Sequence, residues 1–106
     1  MSGVADILKR LEETLKARRA TDPSESYVSS LYAKGSRKIA QKVGEEAVET
    51  AMAVAAGDQE ELVKESADLL FHLMVLLEAE GLSLDDVARE LARREGLSGH
   101  EEKASR

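Results

Sequence analysis

Two long helical patterns meet at Gly57–Asp58, and this join constrains the chain more than any other feature. One pattern runs from about Arg37 to Ala56, the other from about Gln59 to Glu80. Gly57 is a helix stop, and Asp58 is a cap with Glu61 at the capping-box spacing. A link this short allows the two helices to run only as antiparallel neighbours. The expectation is an all-α fold built around a helical hairpin.

The flanks add two further helices. Val4, Ile7, Leu8, Leu11 and Leu15 repeat at helical spacing and predict a helix from about Val4 to Arg18. Residues 19–30 hold the only proline, Pro23, among Thr21, Asp22 and Ser24, and read as a mobile connection. Leu31 to Ser36 then lead into the second helix, with Ser36 as its expected N-cap. Gly81 ends the third helix, and Ser83 caps a fourth that carries Leu84, Val87, Ala88 and Leu91. Beyond Gly96 the tail is polar and expected to fray, and His100 within it has no assigned role. The reading is one all-α domain over 1–106, a bundle of about four helices, with no strand and no internal repeat.

Composition narrows the function. With 106 residues, one domain with a modest core is expected, so oligomerisation is too. The third helix is apolar on nearly every side from Leu69 to Leu77, and a homodimer or higher homo-oligomer would cover it. That run is too short to span a bilayer and is broken by His72, and with no apolar run after a basic start no secretion signal is expected. No membrane partner is expected, and the cytoplasm is the expected location. The absence of cysteine excludes disulfides, thiolate metal sites and cysteine nucleophiles. A net charge of -6 argues against a nucleic acid polymer as partner. It also argues against a phosphate substrate, unless a cation mediates.

The acids supply that condition. Glu45, Glu46 and Glu49 share a face of the second helix with Lys38 and Lys42, and Val43, Ala47, Val48, Ala51, Val54 and Ala55 take the other side. On the third helix Glu65 and Asp68 share a face, continued by Glu61 and His72. Folding the chain back at Gly57–Asp58 brings Glu49 level with Ser66 and Glu46 with Leu69. The pair Glu46/Glu49 then faces the pair Glu65/Asp68, with Glu45 beside them. Like charges this close repel, and a hard divalent cation with oxygen ligands removes the conflict. Mg²⁺ suits an all-carboxylate site, with Mn²⁺ as the alternative.

Other readings of these residues exist. A glutamate-rich helix face is ordinarily solvated, and that reading is taken for Glu12, Glu13, Glu60, Glu78 and Glu90. A diiron bundle would pair Glu with His at i+3, but Asp68 and His72 are four apart. A purely structural dimerisation bundle would have no need of inward acids. His72 is either a contact to substrate or an acid, or a satisfied core histidine.

The stretches EEAVE and ESAD together resemble the Glu-Glu-x-x-Glu … Glu-x-x-Asp pattern of the all-α nucleoside triphosphate pyrophosphohydrolases, the MazG and dimeric dUTPase superfamily. SLYAKGSRKIAQKVGEEAVET and ESADLLFHLMVLL are more specifically similar to the phosphoribosyl-ATP pyrophosphatase family of histidine biosynthesis, over roughly Ile7 to Leu91. The resemblance implies Mg²⁺-dependent hydrolysis of phosphoribosyl-ATP to phosphoribosyl-AMP and pyrophosphate, the second step of that pathway, by a cytoplasmic dimer of the stand-alone form. It implies Glu46, Glu49, Glu65 and Asp68 as metal ligands, with Glu45 a ligand or the group that orients water. Lys34, Gly35, Lys38 and Lys42, at the start of the second helix, are then the expected phosphate contacts. Arg37 and His72 are further candidates for substrate contact. House-cleaning relatives that hydrolyse abnormal nucleotides share the acids and are the alternative.

Overall fold

The structure is a computed structural model and describes residues 3–97 and Gly99. The tail expected to fray, apart from Leu97 and Gly99, lies outside the described residues, as does His100. Five helices follow in order: α1 (Val4–Arg18), α2 (Tyr27–Lys34), α3 (Ser36–Ala55), α4 (Gln59–Ala79) and α5 (Leu84–Arg93). The described residues contain no strand.

The hairpin of α3 and α4 is the spine of the fold. Gly57 takes φ +69°, open to glycine at little cost. Its N–H donates to the Val54 carbonyl at 3.0 Å, and the Asp58 N–H donates to the Ala53 carbonyl at 3.1 Å, which together close the end of α3. The Asp58 carboxylate then accepts from the Glu61 N–H at 3.0 Å and opens α4. At the far end Ser36 Oγ donates to Glu80 Oε2 at 2.7 Å, so the two helices stay in register over their whole length. Ser36 is thus the first residue of α3 and not its cap, and Gly35 holds the cap position. With φ +92° and ψ 167°, Gly35 occupies a region essentially closed to other residues, and it lets α2 turn directly into α3.

The expected mobile connection over 19–30 is replaced in part by a fifth helix. Ser26 caps α2 by accepting from the Ser29 N–H at 2.9 Å. Buried Ser29 donates to the Arg18 carbonyl at 2.8 Å, and Tyr32 Oη donates to the Leu15 carbonyl at 2.9 Å. These bonds pin α2 across the end of α1. YVSSLYAK is short and has two serines, so it shows little helical periodicity; tertiary bonds to α1 make up the difference.

The core joins Leu15 of α1, Leu31 of α2, Ile39 of α3, and Met74 and Val75 of α4. All of it gathers at the end of the hairpin away from Gly57. Two acids read as solvated belong to this scaffold. Glu78 is buried; Arg19 Nη1 donates to its carbonyl at 3.0 Å and lies 3.6 Å from its carboxylate. Burial beside Glu78 pushes the Tyr32 hydroxyl up to about 12. Glu12 accepts from the Leu84 N–H at 2.8 Å and so fixes the start of α5. The Ser83 cap is present, and Asp86 completes a capping box with it.

Candidate metal centre

From Glu46 toward the Gly57 turn the hairpin buries one acid and leaves much of an apolar side exposed. On α3 Glu46 is buried, whereas Val48, Met52 and Val54 are more than half exposed. Ala47, Ala51 and Ala55 are exposed with them. That is the reverse of the ordinary arrangement. An ionised carboxylate is expensive to bury unless it is paired or binds a metal.

Glu46 and Glu49 of α3 meet Glu65 of α4. Each offers one carboxylate oxygen, and the three oxygens lie within 4.8 Å of one another. Glu46 Oε2 and Glu65 Oε2 are buried without a hydrogen-bond partner. Among the described residues no lysine or arginine pairs with these acids. Lys42, one turn before Glu46, makes no ion pair with it, and Lys38 Nζ faces Gln41 Oε1 at 3.4 Å. The crowding shows in Glu65: Glu49, then Glu61, burial and Glu46 push its carboxyl up to about 8. Three carboxylates, two buried oxygens without partners and no protein cation make a donor set that fits a hard divalent ion.

The other residues expected at the site are placed less centrally. Asp68 is exposed and stands outside the group of three, because its position one turn beyond Glu65 faces solvent at the hairpin's edge. Its backbone carbonyl, not its carboxylate, reaches inward, to His72 Nδ1 at 2.9 Å. Glu45 is likewise exposed and outside the group. His72 is buried, with Nε2 2.9 Å from the Tyr27 hydroxyl and Nδ1 3.7 Å from Glu46 Oε1. Both ring nitrogens are thus engaged within the protein. Lys34, Arg37 and Lys38 are exposed around the start of α3, and Lys42 and Gly35 are half-buried.

A cleft of about 470 Å³ opens on the other side of the cluster, toward the turn, lined by Glu49, Met52, Ala53, Ala56, Asp58, Glu61 and Glu65. The acids therefore stand between this cleft and the basic start of α3. Sequence reasoning missed Tyr27, which it left in a connection. The available signal was Ser26, a capping residue directly before an apolar pair.

Residues 8–95 match the family model described as phosphoribosyl-ATP pyrophosphohydrolase. The chain belongs to that family. It is similar to the phosphoribosyl-ATP pyrophosphatase of Erythrobacter litoralis, 63% identical over 93% of this chain and 95% of that protein. Its counterpart in Novosphingobium aromaticivorans is 62% identical over 95% of this chain and 94% of its own length. The histidine biosynthesis bifunctional protein HisIE of Vibrio cholerae is 56% identical over 82% of this chain, a match to 41% of that longer protein. All three acids of the cluster fall within the family match. No described helix is long and apolar enough to cross a membrane.

Proposed function

We propose that Glu46, Glu49 and Glu65 hold a divalent cation, Mg²⁺ with Mn²⁺ as its nearest substitute, at a site that hydrolyses phosphoribosyl-ATP to phosphoribosyl-AMP and pyrophosphate. This is the second step of histidine biosynthesis, and its place is the cytoplasm. The observation that carries the reading is the set of three carboxylate oxygens within 4.8 Å of one another, without a protein cation, in a chain of this family.

A divalent cation there neutralises polyphosphate charge and so reconciles an acidic protein with an anionic substrate. Glu46, fixed by burial, and Glu49 and Glu65, at the edge of the cleft, hold it. Asp68, exposed one turn on along α4, would join them as a fourth ligand by turning its carboxylate inward. Glu45 stands next to Glu46 with an exposed carboxylate, free to orient a water and accept its proton. Lys34, Lys38 and Lys42 attract the phosphates, and the N-terminus of α3 behind Gly35 adds the positive end of its dipole. Arg37 is exposed beside them and serves as a further contact.

The working unit is a homodimer. Val48, Met52, Val54 and Val63 are between 58% and 71% exposed around the Gly57 half of the hairpin. A second hairpin packed there completes a four-helix core and walls the site.

A pyrophosphate-release assay tests the activity. Phosphoribosyl-ATP is compared with a panel of nucleoside triphosphates, in Mg²⁺ and in chelator. Release from phosphoribosyl-ATP alone and only with the metal is expected. Preference for an ordinary triphosphate would overturn the substrate assignment, and undiminished release in chelator would overturn the metal.

A further inference from the structure

Among the described residues, the Tyr27–His72 pair is the polar connection from α2 toward the acid cluster. His72 Nδ1 lies 2.9 Å from the Asp68 carbonyl, which can only accept, so Nδ1 carries the hydrogen. Nε2 is then free to accept from the Tyr27 hydroxyl at 2.9 Å, and that bond fixes the tautomer. The ring is clamped further by edge-on contacts to Tyr27 and Phe71, with centroids 6.0 Å and 5.3 Å away. Nothing in the cleavage reaction requires a tyrosine at this place. The phenol is half exposed on one side and committed on the other to a ring buried against Glu46.

Glu46 is the acid that most needs fixing. It is the buried member of the cluster, and one of its oxygens has no partner. Its other oxygen has His72 Nδ1 at 3.7 Å. That is beyond hydrogen-bond range, so the N–H bonds to the Asp68 carbonyl and presents its positive edge to Glu46. A carboxylate with a dipole on one side and a buried, unpartnered oxygen on the other is aimed, not neutralised.

We propose that Tyr27 and His72 are positioning residues for Glu46: Tyr27 locks the His72 ring, and the ring holds the Glu46 carboxylate toward Glu49 and Glu65. The proposal rests on the reading that these acids bind a cation. It makes docking of α2 a condition for a well-formed metal site, and couples cation affinity to a residue that never touches the ion.

The test is calorimetric titration of the purified full chain with Mn²⁺ alone, alongside thermal melts without metal. Glu46→Gln is expected to weaken Mn²⁺ binding most. His72→Leu is expected to weaken it by about tenfold, as losses of supporting residues around metal ligands do. Tyr27→Phe, a change at a half-exposed ring, is expected to fold and to weaken binding about threefold to tenfold. His72→Asn, whose amide N–H replaces Nδ1–H, is expected to recover most of what His72→Leu loses. The double variant Tyr27→Phe/His72→Leu is expected to bind as His72→Leu does, because Tyr27 acts through the ring. If Glu46→Gln loses Mn²⁺ while His72→Leu and Tyr27→Phe bind as wild type, the positioning role is overturned and the metal site stands. If Glu46→Gln binds as tightly as wild type, the metal site itself falls. His72→Asn as weak as His72→Leu, or additive losses in the double variant, would also overturn the proposal.

Discussion

Glu49 and Glu65 face each other across the α3–α4 hairpin, and Glu49 is the largest cause of the rise of the Glu65 carboxyl to about 8. The unfolded chain leaves Glu65 near its ordinary 4.5, so the folded state binds the extra proton between those values. The stability this proton contributes is complete below about 4.5 and is lost as pH rises through about 8. In chelator, wild type is expected to lose urea midpoint from pH 5 to pH 8 by more than Glu65→Gln does. Equal losses would mean that the acids do not crowd one another in the metal-free protein.

Metal should reverse that repulsion. An ion that binds the folded site and not the unfolded chain stabilises by about 2.7 kcal/mol at a hundred times its dissociation constant. Saturating Mg²⁺ is expected to raise the melting temperature of wild type and to leave Glu46→Ala nearly unmoved. A shift of the same size in both would separate the stabilisation from the cluster.

Glu49→Gln is expected to lower kcat/KM by on the order of 100-fold or more, the scale on which a group that stabilises transition-state charge is missed. Its metal-free melting temperature should match or exceed that of wild type, because one like charge is gone. Asp68→Asn, measured beside it, tests the fourth ligand. Wild-type turnover by Asp68→Asn would confine the ligand set to the three clustered acids.

The exposed apolar side of α3 predicts the effect of a charge placed on it. Met52 is 64% exposed in the single chain. Met52→Lys should do little to a monomer's fold but oppose burial against a second copy. Sedimentation at micromolar concentration is expected to show wild type as a dimer and Met52→Lys shifted toward monomer. A wild-type monomer with full activity would remove the dimer from the reading.

Arg19 anchors the segment that leads into α2. Removing it leaves the buried Glu78 carboxylate without its cation, while the Glu78 carbonyl loses one donor and keeps the Gly81 N–H at 3.1 Å. Arg19→Ala is expected to cost about 1–3 kcal/mol in urea unfolding, the cost of an unsatisfied buried polar group. Because the Arg19 side chain is 47% exposed, water limits the loss. No loss would show that Glu78 finds another partner.

The sequence by itself determined the hairpin. Gly57, Asp58 and the helical periods on either side are local signals, and local backbone energetics decide them without the rest of the molecule. Once two helices must fold back at a known residue, the facing of Glu46 and Glu49 toward Glu65 follows from register alone. Helix α2 was not legible in the same way. Its eight residues are too few to hold a helix by propensity, and bonds from Ser29 and Tyr32 to the end of α1 sustain it. Burial was decided by tertiary structure as well. Glu78 and Glu46 read as the same residue type on helices of similar pattern, yet one meets Arg19 and the other meets two more acids. What stands opposite a side chain depends on which end of the hairpin α1 and α2 cover. Packing between distant segments settles that, and no period within a helix records it.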